Sequence, residues 1–147
     1  MSQNNEVSLL IVEDDLVDQE AIIRSLRKAK IANKISSACD GVEALDLLRG
    51  TNGQEAIPKP RIVVLDLNLP RMNGHEFLTE LRADEELADT MVFVLTTSAN
   101  SSDIQTAYQH NVAGYIVKQR VGADFVRMVE LLETFWRVIE LPGGPTE

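Results

Sequence analysis

Five polar side chains close off apolar stretches of this chain, and together they have the makings of a phosphate-handling site. Glu13 and Asp14 follow the first stretch, Asp66 the third, Thr96 the fourth and Lys118 the fifth. In an open sheet of parallel strands the carboxyl ends share one edge, where the functional crevice forms. The five would then gather three carboxylates, a hydroxyl and an ammonium in one small volume. Carboxylates 4 Å apart repel by about 4 kcal/mol per pair at an effective dielectric of ~20, so something must offset the crowding. A hard divalent cation does so, and Mg2+ in particular prefers one or two carboxylates, retained waters and a phosphate oxygen. Lys118 adds a positive charge and Thr96 a neutral donor. A phosphate-shaped oxyanion fits such a set, held against a carboxylate able to act as nucleophile. The chemistry suggested is phosphoryl transfer onto an aspartate.

The apolar stretches that would carry these residues are 7–12, 61–65, 91–95 and 114–117, with a weaker one at 34–38. Each is too short for a helix and rich in Val, Ile and Leu without clean polar alternation, the pattern of a strand buried on both faces. Between and after them, helical spacing runs over 16–30, 42–49, 75–82, 102–111 and 123–140. Strand and helix alternating five times predicts parallel strands joined by right-handed crossovers, with helices on both faces. Punctuation agrees: Asp15 can cap the first helix, Gly50 can end the second, and Pro70 with Asn73-Gly74 marks the turn before the third. The 50–60 loop ends in Pro58-Lys59-Pro60, which stiffens the approach to the third strand.

Size and composition narrow the function classes. A chain of 147 residues supports one sizeable core, so a single domain is expected over 1–147, with its core at 7–140, a short tail at 141–147 and no output domain. Apolar residues at 44% and charged residues at 25% are ordinary globular usage. The formal charge of −9 leaves no concentrated basic footprint, so nucleic acid is not an expected partner. Neither a bilayer-spanning stretch nor a secretory signal is visible, and the lone Cys39 cannot form an internal disulfide, so a cytoplasmic protein without membrane contact is expected. Cys39, His75 and His110 lack ligand spacing and read as packing or surface residues.

The motifs then carry a family likeness. Ile11-Val12-Glu13-Asp14-Asp15, the segment from Val64 through Pro70 with Asn73-Gly74, Val94-Leu95-Thr96 and Gly114-Tyr115-Ile116-Val117-Lys118 resemble the receiver domain of two-component response regulators. Thirty residues separate Asp66 from Thr96 and twenty-two separate Thr96 from Lys118, matching the family's spacing. The resemblance implies a flavodoxin-like, doubly wound α/β fold with five parallel strands in the order 2-1-3-4-5. It implies that Asp66 is the phosphoacceptor, assisted by Thr96 and Lys118, and that Glu13, Asp14, Asp66 and the backbone carbonyl of Asn68 hold Mg2+. Thr96 would move toward the phosphoryl group while Tyr115, the switch aromatic, turns inward. Phosphorylation would then favour one arrangement of the loops and alter the face of the fourth helix, fifth strand and fifth helix. Asn68, Thr97 and Ser98 are expected to tune self-dephosphorylation. The implied partner is a sensor histidine kinase or a histidine phosphotransfer protein, and the chain would signal by contact rather than as a turnover enzyme.

Thr96-Thr97-Ser98, the non-proline after Lys118, and Phe135-Trp136 followed by Leu141-Pro142 also resemble small stand-alone regulators that work with bacteriophytochrome-type kinases. The residue after Lys118 is commonly proline in the family, preceded by a cis peptide; here it is Gln119. A cis bond before a non-proline costs about 2.5–4 kcal/mol, so a trans peptide is expected. The last helix carries apolar residues over an arc of roughly 180°, wider than the ~100° stripe that one core contact needs. A homodimer through Leu131, Phe135, Trp136 and Val138 is therefore expected.

Other readings remain. Singly, the acidic run at 13–15 could stabilise a helix N-terminus, Asp66 could form a turn, Thr96 could be only a strand residue, Lys118 a solvated charge and Tyr115 a core aromatic. A haloacid-dehalogenase-type phosphohydrolase also uses an aspartate nucleophile with Mg2+, but needs a second acid two residues on, where this chain has Asn68. A flavodoxin-like FMN carrier lacks its phosphate-cradling loop here. A receiver-like module that no longer uses phosphate is the remaining alternative.

Overall fold

The computed structural model describes residues 7–28, 33–118 and Thr134. The elements run β1 (Ser8–Val12), α1 (Leu16–Lys28), β2 (Ile35–Ala38), α2 (Gly41–Arg49), β3 (Arg61–Leu65), α3 (Gly74–Ala83), β4 (Met91–Thr96), α4 (Ser101–Gln109) and β5 (Gly114–Val117). The five strands form one parallel sheet in the order β2-β1-β3-β4-β5. That is the expected doubly wound order, with its reversal between β1 and β3. Of the segment 123–140 only Thr134 is described; Leu131, Phe135, Trp136 and Val138, and the peptide between Lys118 and Gln119, lie outside the described residues.

Alternation along the strands builds two cores. Leu10 and Val12 of β1, Val63 and Leu65 of β3, and Val92 and Val94 of β4 face α2 and α3, packing against Leu45, Leu48, Phe77, Leu78 and Leu81. Leu9 and Ile11, Ile62, Phe93 and Leu95 face the other way and meet Ile22 and Leu26 of α1. A sheet covered on both sides leaves no polar row along its central strands, which is why β1 is buried at all five positions.

The helix ends follow side-chain chemistry. Asp15 Oδ1 accepts from Val17 N and Asp18 N at the start of α1. Asp40 caps α2 through Glu43 N, and Gly50 ends it at φ 73°. Asn73 and Glu76 form a reciprocal capping box on α3. Asn100 caps α4 one residue earlier than the apolar spacing suggests, and His110 ends it. These caps fix where each helix leaves the carboxyl edge of the sheet.

Candidate functional site: an acidic pocket at the carboxyl edge

The five predicted residues do converge. Glu13 leaves β1 as a buried carboxylate, 2% exposed, and Asp14 beside it reaches solvent. Gln19 of α1 pins this turn, donating from Nε2 to the Glu13 carbonyl at 3.0 Å. Asp66 extends β3, its amide donating to Val12 O at 2.9 Å, and its side chain is also buried. Glu13, Asp14 and Asp66 each offer an oxygen within 4.8 Å of the others. Among the described residues this is the group that could hold a metal.

Thr96, fully buried at the end of β4, donates from Oγ1 to Asp66 Oδ1 at 2.7 Å. Asn68 N approaches the same oxygen at 3.3 Å. Lys118 follows β5, and its ammonium donates to Glu13 Oε1, lies 3.1 Å from Asp18 Oδ2 and stands 3.6 Å from Asp66 Oδ2. Asp18 is the residue that sequence reasoning missed. Its signal is its place in the first turn of the helix that starts just after the acidic pair, a position also explained by the helix dipole.

Three carboxylates, Glu13, Asp18 and Asp66, thus face one ammonium, with Asp14 beside Glu13 and Asp66. Burial raises Glu13, the Lys118 hydrogen bond lowers it and Asp66 raises it again, so the carboxyl is pushed up to about 7. Burial pulls Lys118 down, but Glu13 and Asp66 outweigh it and the net direction is up. Glu13 holds its proton more firmly because it is buried, with Asp66 adding to the effect, and Lys118 holds its own because acids face it. A hard divalent cation with oxygen ligands suits this donor set. Its residues fit Mg2+, with Glu13, Asp14 and Asp66 as the side-chain oxygens and the exposed Asn68 beside them.

The other predicted residues flank the pocket. Thr97 is exposed and Ser98 half-buried on the loop after β4. Tyr115 leans on the core that includes Phe77 and Val94, and its hydroxyl donates to the Ser98 carbonyl at 2.9 Å. Arg71, held at φ 59°, reaches back from the loop after β3 and grips Asp40 through Nε at 2.9 Å and Nη2 at 3.2 Å. A cleft of about 520 Å³ lies beside that loop, lined by Leu67, Asn68, Leu69, Asn73, His75 and Asp103. No helix among the described residues is long and apolar enough to cross a membrane.

The sequence matches the family described as response regulator receiver domain over residues 9–130. Response regulator Rcp1 of Synechocystis sp. is 34% identical over 137 residues, 92% of this chain and 93% of that protein. The crystal structure of the Mn(2+)-bound form of Rcp1 superposes with a TM-score of 0.81 at 34% identity, covering 92% of this chain and 98% of that one. The phosphorylated cyanobacterial phytochrome response regulator RcpA gives 0.79 at 31% identity, over 93% and 99% of the two chains. The bacteriophytochrome response regulator RtBRR gives 0.72 at 30% identity, over 92% and 84%. The family match runs through the whole pocket, from Glu13 on β1's end to Lys118 after β5, and this chain belongs to the response regulator receiver domains.

Proposed function

We propose that the chain accepts a phosphoryl group on Asp66 from a histidine kinase or a phosphotransfer protein, with Mg2+ held by Glu13, Asp14, Asp66 and the Asn68 carbonyl. An Asp66 oxygen attacks phosphorus as the P–N bond to the donor histidine breaks. The bonding pair leaves on the imidazole nitrogen, which takes up a proton. The observation that carries this reading is Asp66 itself: a buried carboxylate with a hydroxyl at 2.7 Å, an ammonium at 3.6 Å and two further acids at cation-binding separation. Lys118 and Thr96 would neutralise and bind the added phosphoryl oxygens, and the cation would supply the remaining positive charge. Asn68 stands where a dehalogenase-type hydrolase needs its second acid, which weighs against a turnover phosphatase.

The output follows from the same bonds. Thr96 donates to Asp66 and Tyr115 donates to the Ser98 carbonyl two residues on, and this pair of bonds supports a coupling of the two side chains. A phosphoryl group that engages Thr96 stabilises that arrangement and with it the surface of α4 and β5. Asn68, whose amide approaches Asp66, and Thr97 and Ser98, which follow Thr96, would set the adduct's lifetime. The match to Rcp1 over nearly its full length supports a receiver that acts by itself, and the likeness to RcpA and RtBRR supports a phytochrome-type kinase upstream. The apolar spacing along the sequence 123–140 supports a homodimer; a sedimentation mass that stays monomeric at every concentration and in both phosphorylation states rules it out.

The test is incubation with Mg2+ and a small phosphodonor, followed by intact mass measurement. The wild type should gain one hydroxylamine-labile phosphoryl group and Asp66→Asn none. Equal labelling of the two proteins, or an adduct that hydroxylamine leaves intact, overturns the assignment.

A further inference from the structure

A second connected set of side chains lies beside the pocket, and phosphoryl chemistry alone leaves it unexplained. Ser98, whose carbonyl receives the Tyr115 hydroxyl, donates from Oγ to Asp103 Oδ2 at 2.6 Å. The other oxygen of Asp103 lies 3.0 Å from His75 Nε2. Asp103 sits in the first turn of α4 and His75 in the first turn of α3, one residue after Gly74. The loop that follows Thr96, the strand carrying Tyr115, and the starts of α3 and α4 are thus tied around Ser98, Asp103 and His75, which stand outside the metal group.

The bonding has one consistent assignment. Hydrogen bonds from Ser98 first and His75 second hold Asp103 below the usual carboxylate range. An ionised carboxylate only accepts, so His75 Nε2 carries the ring proton and donates it. The other ring nitrogen, Nδ1, is buried without a hydrogen-bond partner, and this tautomer leaves no N–H stranded there.

We propose that Asp103 and His75 are positioning residues for the phosphorylation switch. They fix Ser98 so that its carbonyl meets Tyr115, and thereby hold the loop in the arrangement that brings Thr96 to Asp66. The proposal rests on Asp66 being the phosphoacceptor. Its physical content is a population argument: a protein only fractionally in its competent arrangement reacts in proportion to that fraction, so cutting a tie that favours it slows phosphorylation. The plainer role for Asp103, an acid balancing the dipole of α4, predicts a change in stability alone.

The test uses the full chain with Mg2+ and a small phosphodonor, reading adduct formation by intact mass and folding by thermal midpoint. Asp103→Asn should slow adduct formation about tenfold, the scale set by one charge-assisted hydrogen bond. Ser98→Ala cuts the same link, so the double variant should be little slower than either single one. His75→Ala should be slow, while His75→Gln, whose amide can still donate to Asp103, should recover most of the rate. The His75 pair decides the matter if the Asp103 variant folds poorly, since His75 is partly exposed. A wild type that gains no phosphoryl group defeats the phosphoacceptor assignment itself. A labelled wild type with Asp103→Asn at its rate, full additivity with Ser98→Ala, or no difference between His75→Gln and His75→Ala overturns the positioning role.

Discussion

Substituting Gly74 by alanine tests how the backbone places Asp66. A Cβ at this position would lie 2.6 Å from Leu67 Cα and 2.8 Å from the Asp66 carbonyl oxygen. Non-bonded carbons settle at roughly 3.5–4.0 Å, so relief requires the start of α3 and the backbone at 66–67 to separate by about 1 Å. Leu67 Cδ2, also at 2.8 Å, can rotate away, but the other two atoms belong to the main chain and no side-chain rotation relieves them. The two segments are also tied, Gly74 N donating to Leu67 O at 2.9 Å, and Asn73 caps the helix at that point. Separation therefore moves Asp66 relative to Thr96 Oγ1, now 2.7 Å from its carboxylate, and about 1 Å more leaves that pair outside hydrogen-bonding range.

Overpacking of this kind costs about 1–3 kcal/mol. Gly53→Ala is the matched control. At φ 80° with nothing within 4 Å of its Cβ, it should lose about 1 kcal/mol from backbone strain and displace nothing. Urea unfolding measures the first quantity, and intact mass with Mg2+ and a small phosphodonor measures the rate of labelling at Asp66. Both variants should be modestly less stable. Gly74→Ala alone should be labelled about tenfold to a hundredfold more slowly, the scale of an ångström misplacement at a reacting centre. Labelling of Gly74→Ala at the wild-type rate, or an equal slowing in Gly53→Ala, refutes the reasoning.

Glu13 gives a pH signature. The folded protein holds its proton to about pH 7 while the unfolded chain releases it near 4.5, so its contribution to stability falls as pH rises through that window. In EDTA the stability of wild type relative to Glu13→Gln should drop between pH 5 and 7.5, and Mg2+ in place of EDTA should shrink the drop; a wild type that gains stability relative to the variant as pH rises contradicts the assignment. Arg82 donates to the carbonyls of His110, Ala88, Thr90 and Asn111 at 2.6–3.1 Å, joining α3 to the end of α4 and the start of β4. Arg82→Met should cost about 3 kcal/mol in urea unfolding, because carbonyls paired to a charged donor lose their partner, and a loss within error of zero shows them rehydrated.

What could be read in advance divides by how each residue reaches its place. Parallel strands all point one way, so whatever follows their apolar stretches must fall at one edge. Glu13, Asp66, Thr96 and Lys118 needed nothing more than strand identity to be brought together, and β1, β3 and β4 announce themselves by burial on both faces. Strand order is different: run lengths alone are silent about it, and the motif likeness supplied it. Residues placed by helix docking were less visible still. Asp103 and His75 lie twenty-eight positions apart on the polar sides of two helices, where either reads as an ordinary solvated residue. Their meeting depends on how closely α3 and α4 pack, with the buried Ala107 on α4's inner side, and on a turn that starts α3 at Gly74 against the Asp66 backbone. Arg71 at φ 59° is a further case, since the Asp40 carboxylate that holds it comes from the cap of α2. The pattern has a physical cause: strand direction acts over the whole sheet at once, whereas each interhelical pair depends on packing that no local period encodes. The side chains proposed to bind the phosphoryl group sit on the first kind of position, and those proposed to couple it to α4 sit on the second.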